Sequence, residues 1–218
     1  MSNQPIIRVE VTGTASAPPD VARIRFFTFA EDPAPGDALT SCSLLTDRVL
    51  AALRDAGVAS SDLETTSIDL NQQRRRDGEE TVENYRASSN LVATVRPPRD
   101  AGRIIAAAVE AAGTGVGINN VSFDIDDRAP LTSLARRDAV ARAVRAAHEL
   151  AEATGLLIGP LVELVEGGGT QSHVRRVPMA AGLLPAAGPI SRPPVELGEL
   201  SVAVNVSAVF EVAPGSDG

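Results

Sequence analysis

The sequence predicts an α+β fold of two interlocked lobes. One is a ferredoxin-like βαββαβ lobe, and the other is a β-α-β-β lobe built from both chain ends around one long helix. Residues 20–127 read as strand, helix, strand, strand, helix, strand, which is the ferredoxin-like split order. Residues 131–154 have the hydrophobic pattern of a long helix. Segments near both chain ends alternate between apolar and polar residues, which predicts strands that pair with one another beside this helix.

Turn and cap residues divide the first part of the chain into short elements. Asp37 is expected to cap the first helix, which Gly57 ends. The dipeptide Asp77-Gly78 favours a hairpin turn between two strands. Val109 is expected on the inward face of the second helix, with Gly113 as its stop. The expected elements are strands over 6–13 and 21–30, a helix from 37 to 56, strands over 63–73 and 81–96, a helix over 100–112 and a strand over 115–126.

The long helix has an apolar side made mostly of alanine, so it can lie close against a sheet. Thr154-Gly155 ends this helix, and residues 156–165 then read as a buried strand with a kink at Gly159-Pro160. The last strand spans roughly 197–212 and alternates cleanly, so it must pair with another strand. The apolar arc of the helical wheel holds Ala135, Ala139, Val140, Ala143, Val144, Ala147, Leu150 and Ala151.

Composition excludes several classes of function. The chain has a formal charge of −8 and no lysine, which removes Schiff-base chemistry and the phosphate-loop lysine. An acidic chain also lacks the basic face that a nucleic-acid-binding protein needs, so no nucleic-acid partner is expected. Cys42 is the only cysteine, so no intrachain disulfide can form. The first residues lack a signal-peptide pattern and no segment could span a bilayer, which predicts a cytoplasmic protein.

One domain is expected over 6–212, with flexible tails at 1–5 and 213–218. Its ferredoxin-like lobe covers 20–127, and its second lobe combines 6–14 with 128–212. The second lobe includes a long loop over 167–196, rich in Gly, Pro and Ala. Long loops of this kind are usually functional or disordered. The apolar residues of this loop form the candidate oligomer interface, namely Met179, Leu183, Leu184 and Ile190.

No catalytic, metal or cofactor constellation is visible in the sequence. His148 and Glu152 have the one-turn spacing of a metal pair, but further ligands are missing and a solvated helix face explains them better. His173 has no nucleophile in a recognisable motif. Tyr85 and Arg136 are candidate contacts for an anionic ligand. The helical wheel places Arg136 next to the apolar arc. Its guanidinium there needs a bound ligand or a carboxylate of the same chain as partner, or else must extend past the helix start into water.

The order and spacing of several segments resemble the SIMPL domain family over about residues 6–212. No single motif is decisive. The opening is Val9–Thr14 followed by Pro19–Ala22, and the long helix begins with Ala135-Arg136-Arg137-Asp138-Ala139. The other segments are 57–66, 85–87, 155–159, 178–180, 189–190 and 198–210. The resemblance implies an α+β fold of two lobes. For secreted bacterial members it implies large hollow oligomers, an envelope location and protection against oxidative stress.

Two hypotheses for function follow from these observations. The favoured one is a non-enzymatic assembly or interaction protein, a homo-oligomer with an unknown protein partner and a link to stress protection. It is favoured by the apolar residues of the loop over 167–196, because exposing them to water would be unfavourable. The alternative is a small-molecule-binding protein or enzyme that uses a cleft between the lobes.

Overall fold

The computed structural model describes residues 5–77, 80–167 and 198–215. These residues form two antiparallel sheets and three α-helices, which confirms the α+β class. The chain divides into two compact units. The elements are β1 (Ile6–Ala17), β2 (Val21–Asp32), α1 (Pro35–Asp55), β3 (Leu63–Asp77), β4 (Glu80–Val95), α2 (Ala101–Ala112), β5 (Val116–Asp124), α3 (Ala129–Ala153), β6 (Leu156–Glu166) and β7 (Leu200–Pro214).

The first unit contains β2 to β5 with α1 and α2, and it has the predicted ferredoxin-like order. Its strands are arranged β3-β4-β2-β5 with antiparallel neighbours. Alternate residues of β2 therefore point to opposite faces, and the even-numbered ones meet the helices. Phe26 lies fully buried at this helix-facing side. The core around it includes Ile24, Val49, Leu53, Leu91, Val95 and Ile104.

Two details of this unit differ from expectation. Ala34, not Asp37, is the N-cap of α1, because Pro35 occupies the first helical turn with its fixed backbone angle. Asp37 lies within that first turn, where its carboxylate faces the positive end of the helix dipole. Val109 was expected to face inward, but it is exposed, and Ile104 and Ala108 supply the buried side of α2.

The second unit contains β1, α3, β6 and β7. Its three-stranded sheet has the order β1-β7-β6, so β7 is the central strand. β1 and β7 pair without interruption from Ile6–Glu211 to Ala17–Leu200. α3 lies mainly on β1 and β7 and contacts β6 much less. Because the helix is displaced toward one side, the strand at the other edge is only partly covered.

The alanine side of α3 makes the close approach that the sequence predicted. The buried residues recur every four positions: Leu131, Ala135, Ala139, Ala143, Ala147 and Ala151. Gly13 of β1 lies directly beneath this row, and a Cβ atom at Gly13 would stand 2.6 Å from the Cα atom of Ala139. The helix and strand backbones are therefore in contact, which only small residues on both sides allow.

Two expectations for this unit are wrong. Val144 and Leu150 are exposed, because the narrow row of alanines takes the whole contact with the sheet. β6 is also not a buried strand, since all of its residues are exposed or half-buried. It forms the edge of the sheet, which α3 covers much less than it covers β1 and β7.

Candidate interaction surface

The main candidate site is an apolar surface on the edge strand β6, called here the β6 surface. It comprises Leu157, Leu161, Val162, Leu164 and Val165, whose side chains are between 45% and 57% exposed. An edge strand also presents backbone N–H and C=O groups that have no partner within the sheet. Edge strands of this kind are usually shortened, charged or covered, and contiguous exposed apolar residues mark interaction sites. The β6 surface therefore has the character of an interface.

The register shows which faces of β6 these side chains occupy. Leu161 pairs with Phe210 and Leu164 pairs with Ala208, both of which are buried in the core beneath α3. Directly opposed residues share a face of the sheet, so Leu161 and Leu164 lie on the α3 side. Val165 pairs with Ser207 and lies on the opposite side. The β6 surface thus wraps around the sheet edge.

The first half of β6 is protected against further strand pairing, whereas the second half is not. Pro160 has no backbone N–H to donate. Register shifts lie between Ile158 and Leu161 and between Leu161 and Glu163, and such bulges are a known device for blunting edges. From Glu163 to Glu166 the pairing with β7 is regular, which leaves a regular outer edge for a further strand.

Both carboxylates on this strand are bound to arginines of the same chain. Arg136 on α3 donates two hydrogen bonds to Glu166, from Nε to Oε2 at 2.6 Å and from Nη2 to Oε1 at 2.9 Å. These hydrogen bonds lower the pKa of Glu166 and raise that of Arg136. Glu163 forms an ion pair with Arg8 at 3.5 Å. The strand therefore carries no uncompensated charge.

The predicted ligand contacts Tyr85 and Arg136 lie in different units, each with its own local surroundings. Glu166 is the intramolecular carboxylate that the sequence left as one option for Arg136. Tyr85 is half-buried near the start of β4 and packs against a small core cluster that contains Ala38 and Cys42. Whether either residue contacts a ligand stays a prediction.

The predicted loop interface lies outside the described residues, as does His173. It comprises Met179, Leu183, Leu184 and Ile190. His148 is exposed on α3. Within the described ranges, no group of three or more His, Cys, Asp or Glu side chains is placed to hold one metal ion. None of the helices in that part of the chain has the length and apolar character needed to cross a membrane.

Sequence analysis missed the β6 surface, although one signal was present. The run of apolar residues after Gly155 was interpreted as a buried strand. However, proline within a strand is found almost only at sheet edges or bulges, and Pro160 lies in the middle of this run. An apolar strand that contains proline indicates an exposed edge that can meet a partner.

The contact between α3 and β1 predicts a specific dependence of stability on acid. The backbone N–H of Thr14 donates to Asp138 at 2.9 Å and Arg142 donates to the same oxygen at 2.8 Å. These interactions lower the pKa of Asp138, the Thr14 hydrogen bond most. A carboxyl with a lowered folded-state pKa adds stability above its unfolded pKa, near 4. That contribution is lost as pH falls through the folded-state pKa.

We therefore expect Asp138→Asn to lower the free energy of unfolding at neutral pH. The free energy of unfolding of this variant should also decrease less than that of wild type when the pH is lowered. The curves of variant and wild type should converge only as pH falls through the folded-state pKa of Asp138, which lies below its unfolded value. Urea unfolding at a series of pH values measures this, with Glu149→Gln on the same helix as the control. A constant difference between the two curves at every pH would contradict the expectation.

Comparison with known proteins identifies the family of this chain. The model of the family described as SIMPL, protein of unknown function (DUF541), matches residues 7–210. Two relatives, each named 26 kDa periplasmic immunogenic protein, come from Brucella abortus (strain S19) and Brucella melitensis biotype 1 (strain 16M). Each is 30% identical over 97% of this chain and 87% of the relative. Their names place the relatives in the periplasm, and the cytoplasmic location expected for this chain has no support from them. The chain belongs to the SIMPL family.

Proposed function

We propose that this chain is a non-enzymatic protein that assembles with copies of itself, and that the β6 surface is its main interface. The observation that carries the proposal is the exposure of five large apolar side chains on β6, which is an edge strand among the described residues and pairs regularly with β7 from Glu163 to Glu166. Leaving such a strand in water exposes apolar area and invites indiscriminate pairing. Covering it with a defined partner removes both problems.

A second copy of the chain fits this strand well. Two copies of β6 related by a two-fold axis would pair antiparallel and join two three-stranded sheets into one of six strands. Such pairing often fails when it places like charges opposite one another. Here Glu163 and Glu166 are already paired with Arg8 and Arg136 of their own chain. Self-pairing therefore brings together apolar side chains and neutralised carboxylates.

The alternative, a small-molecule-binding protein or enzyme, has weaker support. It was based on the expectation that the charged side chain of Arg136 requires an anionic partner. Glu166 is that partner, because it accepts two hydrogen bonds from Arg136. A thermal-shift screen with common metabolites and metal ions tests this alternative, since a bound ligand would raise the unfolding temperature. The link to stress protection stays a prediction from the family resemblance.

The proposed interface is tested by placing charge on it. We expect wild type to be oligomeric at micromolar concentration. The pair Val162→Glu and Leu164→Glu should lower the native mass by about twofold or more, because buried unpaired carboxylates disfavour the interface. Native mass spectrometry and light scattering measure the mass. Circular dichroism verifies that the variant is folded.

Leu44→Glu on α1 is the matched control, because Leu44 is as exposed as the residues of the β6 surface but lies on a helix of the other unit. This variant should keep the wild-type mass. A monomeric wild type would refute self-assembly. An oligomer whose mass is insensitive to charges at Val162 and Leu164 would refute the β6 surface as its interface.

A further inference from the structure

The register of β6 fixes which face of the sheet each of its last residues occupies. Leu164 pairs with Ala208 and lies on the α3 side, and Val165 pairs with Ser207 and lies on the other side. When two neighbouring antiparallel strands of one sheet are related by a two-fold axis, that axis is perpendicular to the sheet, because an axis within the sheet plane would turn one copy over. Each side chain of β6 therefore stays on its own face in such a pair.

A two-fold pairing of this kind sets one residue directly opposite its own copy. Within the regular part of β6 that residue is one of four, namely Glu163, Leu164, Val165 or Glu166. Like charges directly opposite one another are destabilising, so neither glutamate is favoured on the axis. Two positions are left for the axis, and both are apolar.

The length of the paired segment favours Leu164 over Val165 as the residue on the axis. With Leu164 there, residues 162–166 of one copy pair with the same residues of the other in reverse order, so five positions of each strand take part. With Val165 there, Glu163 would face Gly167, which lies beyond the end of β6, and only three positions of each strand pair within β6. The first register also covers three apolar residues of each copy instead of two.

The same register keeps like charges from facing each other directly. Glu166 of one copy faces Val162 of the other, and Glu163 faces Val165 of the other. Both carboxylates keep their ion pairs, because these are made with arginines of α3 and β1, on the side away from the free edge. Each carboxylate therefore stays neutralised within its own chain and meets an apolar side chain across the interface.

We propose that β6 pairs with β6 of a second copy in this one register, with Leu164 on the two-fold axis. The inference deepens the proposed self-assembly by specifying the geometry of its interface, and it rests on that function. The two sheets become one sheet of six strands, with Leu164 packed on its own copy at the centre. Both copies of α3 lie on the same face of that sheet.

Disulfide cross-linking tests the register. In Leu164→Cys the two introduced thiols should lie opposite each other, with Cβ atoms about 4.5–5.5 Å apart, from which a small adjustment allows a disulfide. The matched control is Val162→Cys, at a residue that is about as exposed on the same strand. Its two thiols should lie four residues apart along the strands, about 13 Å, which no disulfide spans. Wild type is the second control, since its one cysteine, Cys42, is buried.

We expect Leu164→Cys at micromolar concentration to be cross-linked at least about tenfold faster than Val162→Cys, because thiols held opposite each other react at a much higher effective concentration. Wild type should not be cross-linked. Oxidation by air with copper–phenanthroline, followed by non-reducing electrophoresis, measures the cross-linked fraction. In urea that unfolds the chain the difference should disappear. Circular dichroism and native mass of the reduced variants verify that they fold and assemble.

A mixture of Glu163→Cys and Val165→Cys proteins gives a second measurement that leaves Leu164 unchanged. The register places these two residues opposite each other in different copies, so the mixture should yield a disulfide-linked pair with one protein of each kind. Mass spectrometry identifies this mixed pair. Either protein alone should be cross-linked more slowly, because its two thiols lie diagonally, about 7–8 Å apart.

The outcomes separate this inference from the proposed function. A monomeric wild type overturns both. Suppose instead that an oligomer loses mass when charge is placed at Val162 and Leu164. If it is then cross-linked best through Val165→Cys, or equally through Val162→Cys and Leu164→Cys, the register is overturned and the β6 surface stands as the interface. If Leu164→Cys does not assemble, the mixture decides, and absence of the mixed disulfide overturns the register.

Discussion

Replacing Gly13 with alanine is expected to destabilise the protein by about 3 kcal/mol or more, at the upper end of what overpacking costs. A Cβ atom at this position would overlap the carbonyl oxygen of Ala135 and the nitrogen of Ala139, and would stand 2.6 Å from the Cα atom of Ala139. These are backbone atoms of α3, which cannot rotate away as a side chain can. The helix must therefore move off the sheet along part of its length.

Equilibrium unfolding in urea, followed by circular dichroism, measures the loss. Gly36→Ala is the control, because a Cβ built there has no atom from another part of the fold within 4 Å and the residue is in the first turn of α1. That change should be neutral or should stabilise by about 0.5 kcal/mol, through the lower entropy of the unfolded chain. Equal effects of the two substitutions would show that the contact between β1 and α3 is not tight.

The same contact shows what the sequence predicts well. The alanines from Ala135 to Ala151 on the predicted apolar side are buried and dock closely on a sheet, as expected. The predicted apolar side was wider than the observed one, since it also held Val144 and Leu150. The close approach at Gly13, which packs against these alanines, could also have been predicted, because glycine inside a strand often marks a place where another backbone comes close. Patterns within one element are reliable here because they depend only on the geometry of that element.

Burial of β6 was not predictable from its composition alone. An apolar run is consistent with a buried strand, but whether it is buried depends on which neighbours cover it. Here α3 is positioned by its contact with β1 at Gly13, and it covers β6 much less than β1 and β7. The candidate interface arises from this tertiary displacement. Pro160 was the one residue in the sequence of β6 that indicated an edge position.

The length of the hairpin formed by β3 and β4 was not predictable from the sequence. β3 ends at Asp77 and β4 begins at Glu80, so the change of strand falls where Asp77-Gly78 predicted it. The point at which β2 stops supporting those strands depends on Pro33 and Pro35, which end β2 and start α1. The register shows that β3 and β4 continue to pair for five residue pairs beyond the last pairing of β4 with β2.

Phe26→Ala is expected to cost about 3–5 kcal/mol, the range observed when a buried aromatic side chain is truncated. Phe26 is fully buried between the sheet and the helices of the ferredoxin-like unit. Removing its ring leaves a cavity lined by side chains from β2, β4 and both helices, and these elements cannot all move inward to fill it. A typical domain has 5–15 kcal/mol of stability in total, so this variant should unfold at clearly lower urea concentration.

Phe27→Ala is the matched control, because the same residue type is removed one position along the same strand. The side chain of Phe27 points to the opposite face of the sheet and is only half-buried, stacked on Phe29 with ring centroids 6.0 Å apart. Its loss should cost about 1 kcal/mol, since less area is buried and no closed cavity forms. If the two substitutions were equally costly, the face opposite the helices would have to be as well covered as the core. That result would contradict the two-faced burial of β2 on which the description of this unit depends.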